Sequence, residues 1–137
     1  MVVEYKKPLP LADSDSKEFW EGCKRHELLV QRCEKCHAYR FPPGLVCVKC
    51  LSTDAKWEKV SGKGEVYTFI IVRTAASPAW EEDVPYVTAI VQLKEGVRMT
   101  TNIIGCKPED VKIGMKVEVV FDDVTKEDTL PKFKPVS

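Results

Sequence analysis

The chain has 137 residues, 44% of them apolar and 31% charged, which suits one ordinary core or one small domain plus a metal-stapled module. Lysine plus arginine equals aspartate plus glutamate at 21 each, with 11 basic and 9 acidic residues up to Val60 and 10 and 12 beyond it, so the basic footprint of a nucleic-acid binder is missing. No run reaches the ~18 uninterrupted apolar residues of a membrane helix, and Met1 to Pro10 lacks the apolar core of a signal peptide, so a soluble cytoplasmic protein with no membrane partner is expected.

In chain order, the first element expected is a short amphipathic helix within Asp13 to Glu27. Asp15 is placed to cap its free N–H groups, and Glu18, three residues on, completes a capping-box-like pair. Phe19 and Cys23 share a face, with Trp20 beside them and Gly22 weakening the helix, so it needs a surface to pack on. Core packing is the more ordinary use of these aromatics, and a partner surface is the alternative.

Leu28 to Arg32 and Tyr39 to Phe41 are short β-rich runs on either side of a cysteine pair, and together they read as a hairpin. From Lys63 onward the pattern alternates with period two. Val66, Thr68, Ile70 and Val72 fall on one face of a strand, followed by Val87, Ala89, Val91 and Leu93, and then Val97, Met99, Thr101 and Ile103. Lys94-Glu95-Gly96 joins the last two runs as a bulged hairpin turn. Pro108 to Val111 fits a short helix, Lys116 to Phe121 another strand, and Asp122 to Asp128 a loop. Leu130 to Val136 holds two prolines, which predicts an edge strand or an extended tail. Four or five strands with one small helix before the fourth match the oligonucleotide/oligosaccharide-binding (OB) barrel, with a sandwich as the other architecture of that size. The segments expected are 1–27 for the helix, 28–60 for the cysteine-rich ribbon and 61–137 for the barrel.

The strongest chemical signal is two Cys-x-x-Cys pairs, Cys33/Cys36 and Cys47/Cys50, separated by ten residues. Each pair presents two sulfurs to one point, and the hairpin folds one pair onto the other to give four-sulfur tetrahedral coordination. Two disulfides would need an oxidising compartment. A redox pair would open a helix in an α/β pattern that is absent here. Zinc is the expected ion, and iron is the alternative that four thiolates also accept. Four protein ligands leave no open position, so the metal is structural, and four thiolates around zinc leave the site at net minus two. His37 follows a ligand cysteine and reads as an exposed neighbour. Cys23 and Cys106 lack a Cys-x-x-Cys partner and read as small buried hydrophobes. No nucleophile motif or phosphate-binding glycine loop accompanies His26 and His37, and Glu81-Glu82-Asp83 reads as a solvated loop. These residues point to a binding or assembly module and not to an enzyme.

Between Phe19 and Pro135 the chain resembles the acyl-CoA-associated OB-fold family with a rubredoxin-like zinc ribbon. The matching residues are Phe19-Trp20-Glu21-Gly22, Leu28 to Cys36, Phe41-Pro42-Pro43, Cys47-Val48-Lys49-Cys50, Trp57, Gly62 to Thr68, Pro85-Tyr86 and Ile113 to Val119. It departs from the pattern at His37 and Leu51, which follow the knuckles where ribbons often carry glycine. The resemblance implies a mainly β fold: an N-terminal helix, a rubredoxin-like zinc ribbon, then a five-stranded OB-fold barrel. It also implies a non-catalytic subunit that binds acyl-CoA and docks a thiolase or a related CoA-thioester enzyme. Some archaeal relatives of that family join a thiolase to hydroxymethylglutaryl-CoA synthase, and others serve hydratases or aldolases. A CoA site needs cations for phosphates and flat apolar surface for adenine and pantetheine. Arg40, Phe41 and Pro42 in the ribbon, Arg73 at the end of the first barrel strand, and Trp80 in the following loop meet that description. The other reading is a zinc-ribbon, OB-fold nucleic-acid binder with Tyr67, Phe69 and Arg73 on its exposed strand face. The net minus two of the barrel part opposes it.

Overall fold

The computed structural model describes residues 7–136. The parts of the N-terminal reading that concern Met1 to Lys6 lie outside the described residues.

Helix α1 spans Lys17–Lys24. Its cap differs from the expected one. Asp13 lies ahead of the helix and its Oδ1 accepts hydrogen bonds from the Asp15 and Ser16 N–H groups, while Ser16, the N-cap residue, makes no side-chain cap bond. The turn before the helix therefore takes the side-chain oxygen, and Asp15 is left outside it. Phe19 and Cys23 face inward as expected. Gly22 is where the helix meets the next strand, because a Cβ there would lie 2.8 Å from Leu29 Cδ1. The weak helix former thus permits close packing.

Strands β1 (Leu29–Cys33), β2 (Tyr39–Arg40) and β3 (Ala55–Lys59) form an antiparallel sheet in the order β2-β1-β3. The β1–β2 hairpin is the expected one, with Gln31 opposite Arg40. β3 was not predicted. Its Ala-Lys-Trp-Glu-Lys sequence is held by pairing with β1 along its whole length, from Leu29–Lys59 to Cys33–Ala55, so tertiary pairing overrides weak propensity.

The remaining strands close a five-stranded barrel in the order β4-β5-β6-β8-β7. They are β4 (Lys63–Val72), β5 (Tyr86–Leu93), β6 (Arg98–Ile103), β7 (Lys116–Asp123) and β8 (Thr129–Pro135). One-turn 3₁₀ helices cover Pro78–Trp80 and Pro108–Asp110, the second at the place expected for the short helix. The β5–β6 hairpin turns on Gly96 at φ 96°, with Leu93 and Val97 bonded across it as the sequence predicts.

Two barrel expectations are corrected. The register of β4 against β5 slips between Val66 and Thr68, so Tyr67 is an extra residue. This β-bulge reverses the faces. Val66 is buried, but Phe69 and Ile71 then pack inward and Ile70 is 63% exposed. The C-terminal run is not an edge or a tail. β8 pairs with β7 over seven residues and meets β6 in parallel at Ile103–Phe133. Its two prolines fit because the parallel contact is confined to that one pair, which leaves Pro131 and Pro135 outside it.

One core runs through the whole molecule. Phe19 and Cys23 of α1 and Leu28 and Val30 of the ribbon join Val66, Val91, Val117 and Phe133 of the barrel. Phe133 is fully buried where the barrel closes. At the end of α1, the His26 ring stacks on Phe121 of β7 at 5.2 Å, and its Nε2 lies 3.1 Å from both Asp123 carboxylate oxygens. The helix is thereby tied to the barrel wall. Among the described residues, no helix is long and apolar enough to cross a membrane.

Candidate metal centre and binding groove

The four cysteine sulfurs converge, all within 4.8 Å of one another. Cys33 and Cys50 Sγ are 3.5 Å apart, and Cys36 and Cys47 Sγ 3.6 Å apart. A tetrahedral ion with bonds of about 2.3 Å requires sulfurs roughly 3.8 Å apart, so the cluster fits zinc. The two knuckles are built alike. In the first, the His37 N–H donates to Cys33 O (3.0 Å) and the Cys33 N–H to Ala38 O (2.9 Å). In the second, the Leu51 N–H donates to Cys47 O (2.9 Å) and the Cys47 N–H to Ser52 O (2.9 Å). His37 and Leu51 both sit at φ 64°. These are the two positions where glycine is usual, so the left-handed turn is kept without glycine, at a cost of about 1–2 kcal/mol each.

Backbone donors favour thiolate at Cys33 and Cys47, while at Cys50 the Ser52 N–H is outweighed by the Cys33 and other neighbouring sulfurs and by burial, and the thiol is pushed up to about 11. The Cys36 N–H draws the Cys33 thiol down to about 6 against the opposing effect of burial, and the Cys50 N–H lowers Cys47 in the same way. Arg32 supports the first knuckle by donating from Nε to His37 O at 2.9 Å and lying 4.7 Å over the Tyr39 ring. The Glu34 N–H donates to Asp54 O at 2.9 Å and so links the first knuckle to the chain beyond the second. Cys23 and Cys106 lie outside the cluster. Burial pushes the Cys23 thiol up to about 12 and also raises that of Cys106, so neither is a ready nucleophile.

The other residues predicted from the sequence fall in different places. Phe41 packs on Phe19 with ring centroids 5.2 Å apart. With Pro42 it forms one wall of a groove of about 430 Å³, whose other wall is Tyr67, Ile90, Arg98, Met99 and Thr100 of the barrel. A second hollow of about 310 Å³ shares Phe41, Met99 and Thr100 and continues past Trp20 to Lys132. Together they make an apolar trough at the junction of helix, ribbon and barrel. Arg40 does not reach into it. Its Nε donates to Gln31 Oε1 (2.8 Å) and its Nη2 to Gly44 O (2.8 Å), while the buried Nη1 has no partner. Arg73 and Trp80 do not line the trough either. Arg73 is exposed, and Trp80 stacks on Tyr86 at 5.4 Å. Arg98, which the sequence reading did not single out, lines the trough, with its guanidinium 3.8 Å over the Tyr67 ring and its Nε donating to Gln92 Oε1 at 3.0 Å. The hairpin register already sets Gln92 opposite Arg98. The bulge that brings Tyr67 over it has no sequence signal.

A four-cysteine ribbon followed by a closed OB barrel defines a zinc-ribbon, OB-fold protein, and the comparisons with known proteins agree. Residues 20–55 match the family model described as "ChsH2, rubredoxin-like zinc ribbon domain", and residues 57–122 match "ChsH2, C-terminal OB-fold domain". A DUF35 domain-containing scaffold protein of Methanocaldococcus jannaschii is 44% identical over 85% of this chain and 88% of its own length. The chain belongs to the DUF35 family. A probable enoyl-CoA hydratase alpha subunit of Thermomonospora curvata is 38% identical over 94% of this chain, which spans only 40% of that protein's length. Among solved structures, the "Ltp2-ChsH2(DUF35) aldolase" matches with a TM-score of 0.84 and 38% identity, over 92% of this chain and 98% of the matched one. A DUF35-family protein of unknown function from Sulfolobus solfataricus, at 15% identity and TM-score 0.63, shares the fold over 90% of this chain and 86% of its own.

Proposed function

We propose that this chain is a non-catalytic assembly subunit that docks an enzyme of CoA-thioester chemistry, a thiolase or a related hydratase or aldolase, and contributes to holding its CoA. The observation that carries this reading is the likeness, over nearly the whole chain, to the matched chain of the Ltp2-ChsH2(DUF35) aldolase. Relatives named as scaffold proteins and as hydratase subunits support the same partner class. Cys33, Cys36, Cys47 and Cys50 hold a zinc ion in this reading, with every position filled by protein, so the metal supplies shape and no reaction step. The trough offers apolar surface from Phe41 and Pro42 for pantetheine, and Arg98 stands at its rim as a phosphate partner. Arg40 braces the Phe41–Pro42 turn from behind. Arg73 and Trp80 lie away from the trough and belong to the partner side of the assembly.

The test is a native pull-down of the tagged chain from its source cells at moderate salt, after nuclease treatment, with the co-purifying proteins identified by mass spectrometry. A stoichiometric CoA-thioester enzyme is expected. Recovery of only nucleic-acid machinery, or of nothing above background, overturns the proposal.

A further inference from the structure

The barrel wall has two unlike outer faces. On β7 and β8 the outward rows are charged. Glu118 lies opposite Lys134 and Val120 opposite Lys132, with Lys132 Nζ 2.6 Å from Asp122 and Lys116 Nζ 2.9 Å from Glu65. Such a ladder is what a wetted sheet face usually carries. On β4, β5 and β6 the rows are Ile70–Thr88–Asn102 and Thr68–Ile90–Thr100, with no charge in either. The nearest charges on these three strands lie at their ends, with Arg98 beside the trough and Glu65 and Arg73 at either side of the β4 run. This is the outlying surface in a chain that is 31% charged.

The same face has an open border. β4 pairs with β7 only from Lys63 to Glu65. From Tyr67 to Val72 its second edge has no strand partner among the described residues. That segment carries no lysine, proline or inward charge, the devices that normally blunt an edge. Arg73 at its end makes no side-chain ion pair among the described residues.

We infer that the outer face of β4–β5–β6, bordered by the Tyr67–Val72 edge, is the seat of the partner enzyme. The inference rests on the assembly-subunit reading and deepens it. The complementary surface is an uncharged, hydroxyl-rich and apolar patch of a CoA-thioester enzyme, with a carboxylate at its margin facing Arg73. A nucleic acid does not fit, because its phosphates need a row of cations and this face has none at its centre. The trough opens at the corner of the face formed by Tyr67, Ile90 and Arg98, so an enzyme seated there completes the trough's open side.

The experiment uses the enzyme recovered in the pull-down, expressed separately and titrated against the full chain in a calorimeter. The variants are Ile70→Lys with Thr88→Lys on the uncharged face and Glu118→Ala with Lys134→Ala on the charged one. Thr100→Arg is a single exposed substitution that keeps the question answerable if the double lysine variant does not fold. Melting temperature and zinc content certify each variant. The expected result is a loss of at least about tenfold in affinity for Ile70→Lys/Thr88→Lys and for Thr100→Arg, since each buries an unpaired charge at the contact, with Glu118→Ala/Lys134→Ala within about twofold of the parent. Equal binding by all variants overturns the assigned face while leaving the assembly reading intact. Failure of the parent chain to recover any CoA-thioester enzyme overturns both. Salt-sensitive retention of single-stranded nucleic acid that Thr100→Arg strengthens also overturns the assignment.

Discussion

The ribbon and the barrel hold their shape by different means, although one core passes through both. In the ribbon, 20 residues from Cys33 to Ser52 bury little apart from Cys33 and Cys47. Leu45, Val48 and Leu51 are 67%, 86% and 75% exposed. Its order comes from hydrogen bonds repeated in two matching knuckles and from four thiolates that one ion can gather. The barrel has no such centre and relies on alternating side chains closed around Phe133. A metal-held loop can leave its apolar residues outside, whereas a core-held barrel must put them inside.

The largest effect that separates the two should come from the cysteines. Cys33→Ser, or chelation, is expected to abolish stoichiometric zinc binding and open residues 34–53 to protease, because structural zinc contributes on the order of 10 kcal/mol in comparable sites. Zinc assay and mapping of the cleavage products check it. Next comes Phe133→Ala, which should cost about 3–5 kcal/mol in denaturant unfolding. It should leave bound zinc nearly unchanged at low denaturant. If the zinc is lost as well, the contrast between the regions fails.

Gly64→Ala is expected to cost about 1–3 kcal/mol through overpacking, since a Cβ there would meet Gln92 O at 2.4 Å, which is backbone and cannot swing aside. Thermal denaturation measures it. Asp123→Asn probes the helix–barrel tie. The Thr129 hydroxyl, and then His26, hold the Asp123 carboxyl below its ordinary value. A depressed folded-state value contributes stability above the unfolded value of about 4 and loses it as pH falls further. The variant should therefore show a flatter loss of melting temperature below about pH 4. An unchanged acid limb would mean the tie is unimportant. The smallest effect is Leu51→Gly, where relief of about 1–2 kcal/mol of left-handed strain is offset by up to about 1 kcal/mol of glycine's extra freedom in the unfolded chain. Its melting temperature should equal or exceed the parent's, with zinc retained.

Much of this was legible from spacing. The cysteine pairs, the β5–β6 hairpin and the alternation of Val87 to Leu93 each follow from local rules, and the cysteine pairs standing ahead of the alternating runs give the order of ribbon and barrel. The misses share a cause, since each depends on a partner distant in sequence. β3 exists because β1 offers it an edge, and β8 is interior because β6 and β7 close around Phe133. Where the CoA-site candidates lie depends on distant partners in the same way. Residue chemistry selected Arg40 and Arg73, but only the register shows that Arg40 is occupied by Gln31 and Gly44 while Arg98 stands over Tyr67.

The bulge at Tyr67 amounts to a change of parity. Up to Val66 the even-numbered residues of β4 point to the core, and beyond it the odd-numbered ones do. Tyr67 is the remainder of that count, opposed by no residue of β5, which leaves it able to lean over Arg98. Straightening the strand with Tyr67 kept would send Thr68 and Ile70 to the core side and turn Phe69 and Ile71 toward the solvent, whereas deleting Tyr67 would remove the bulge and leave those faces as they are. The two-against-one pairing at Tyr67 thus decides which half of Val66-Tyr67-Thr68-Phe69-Ile70-Ile71 the molecule keeps to itself and which half it shows to others.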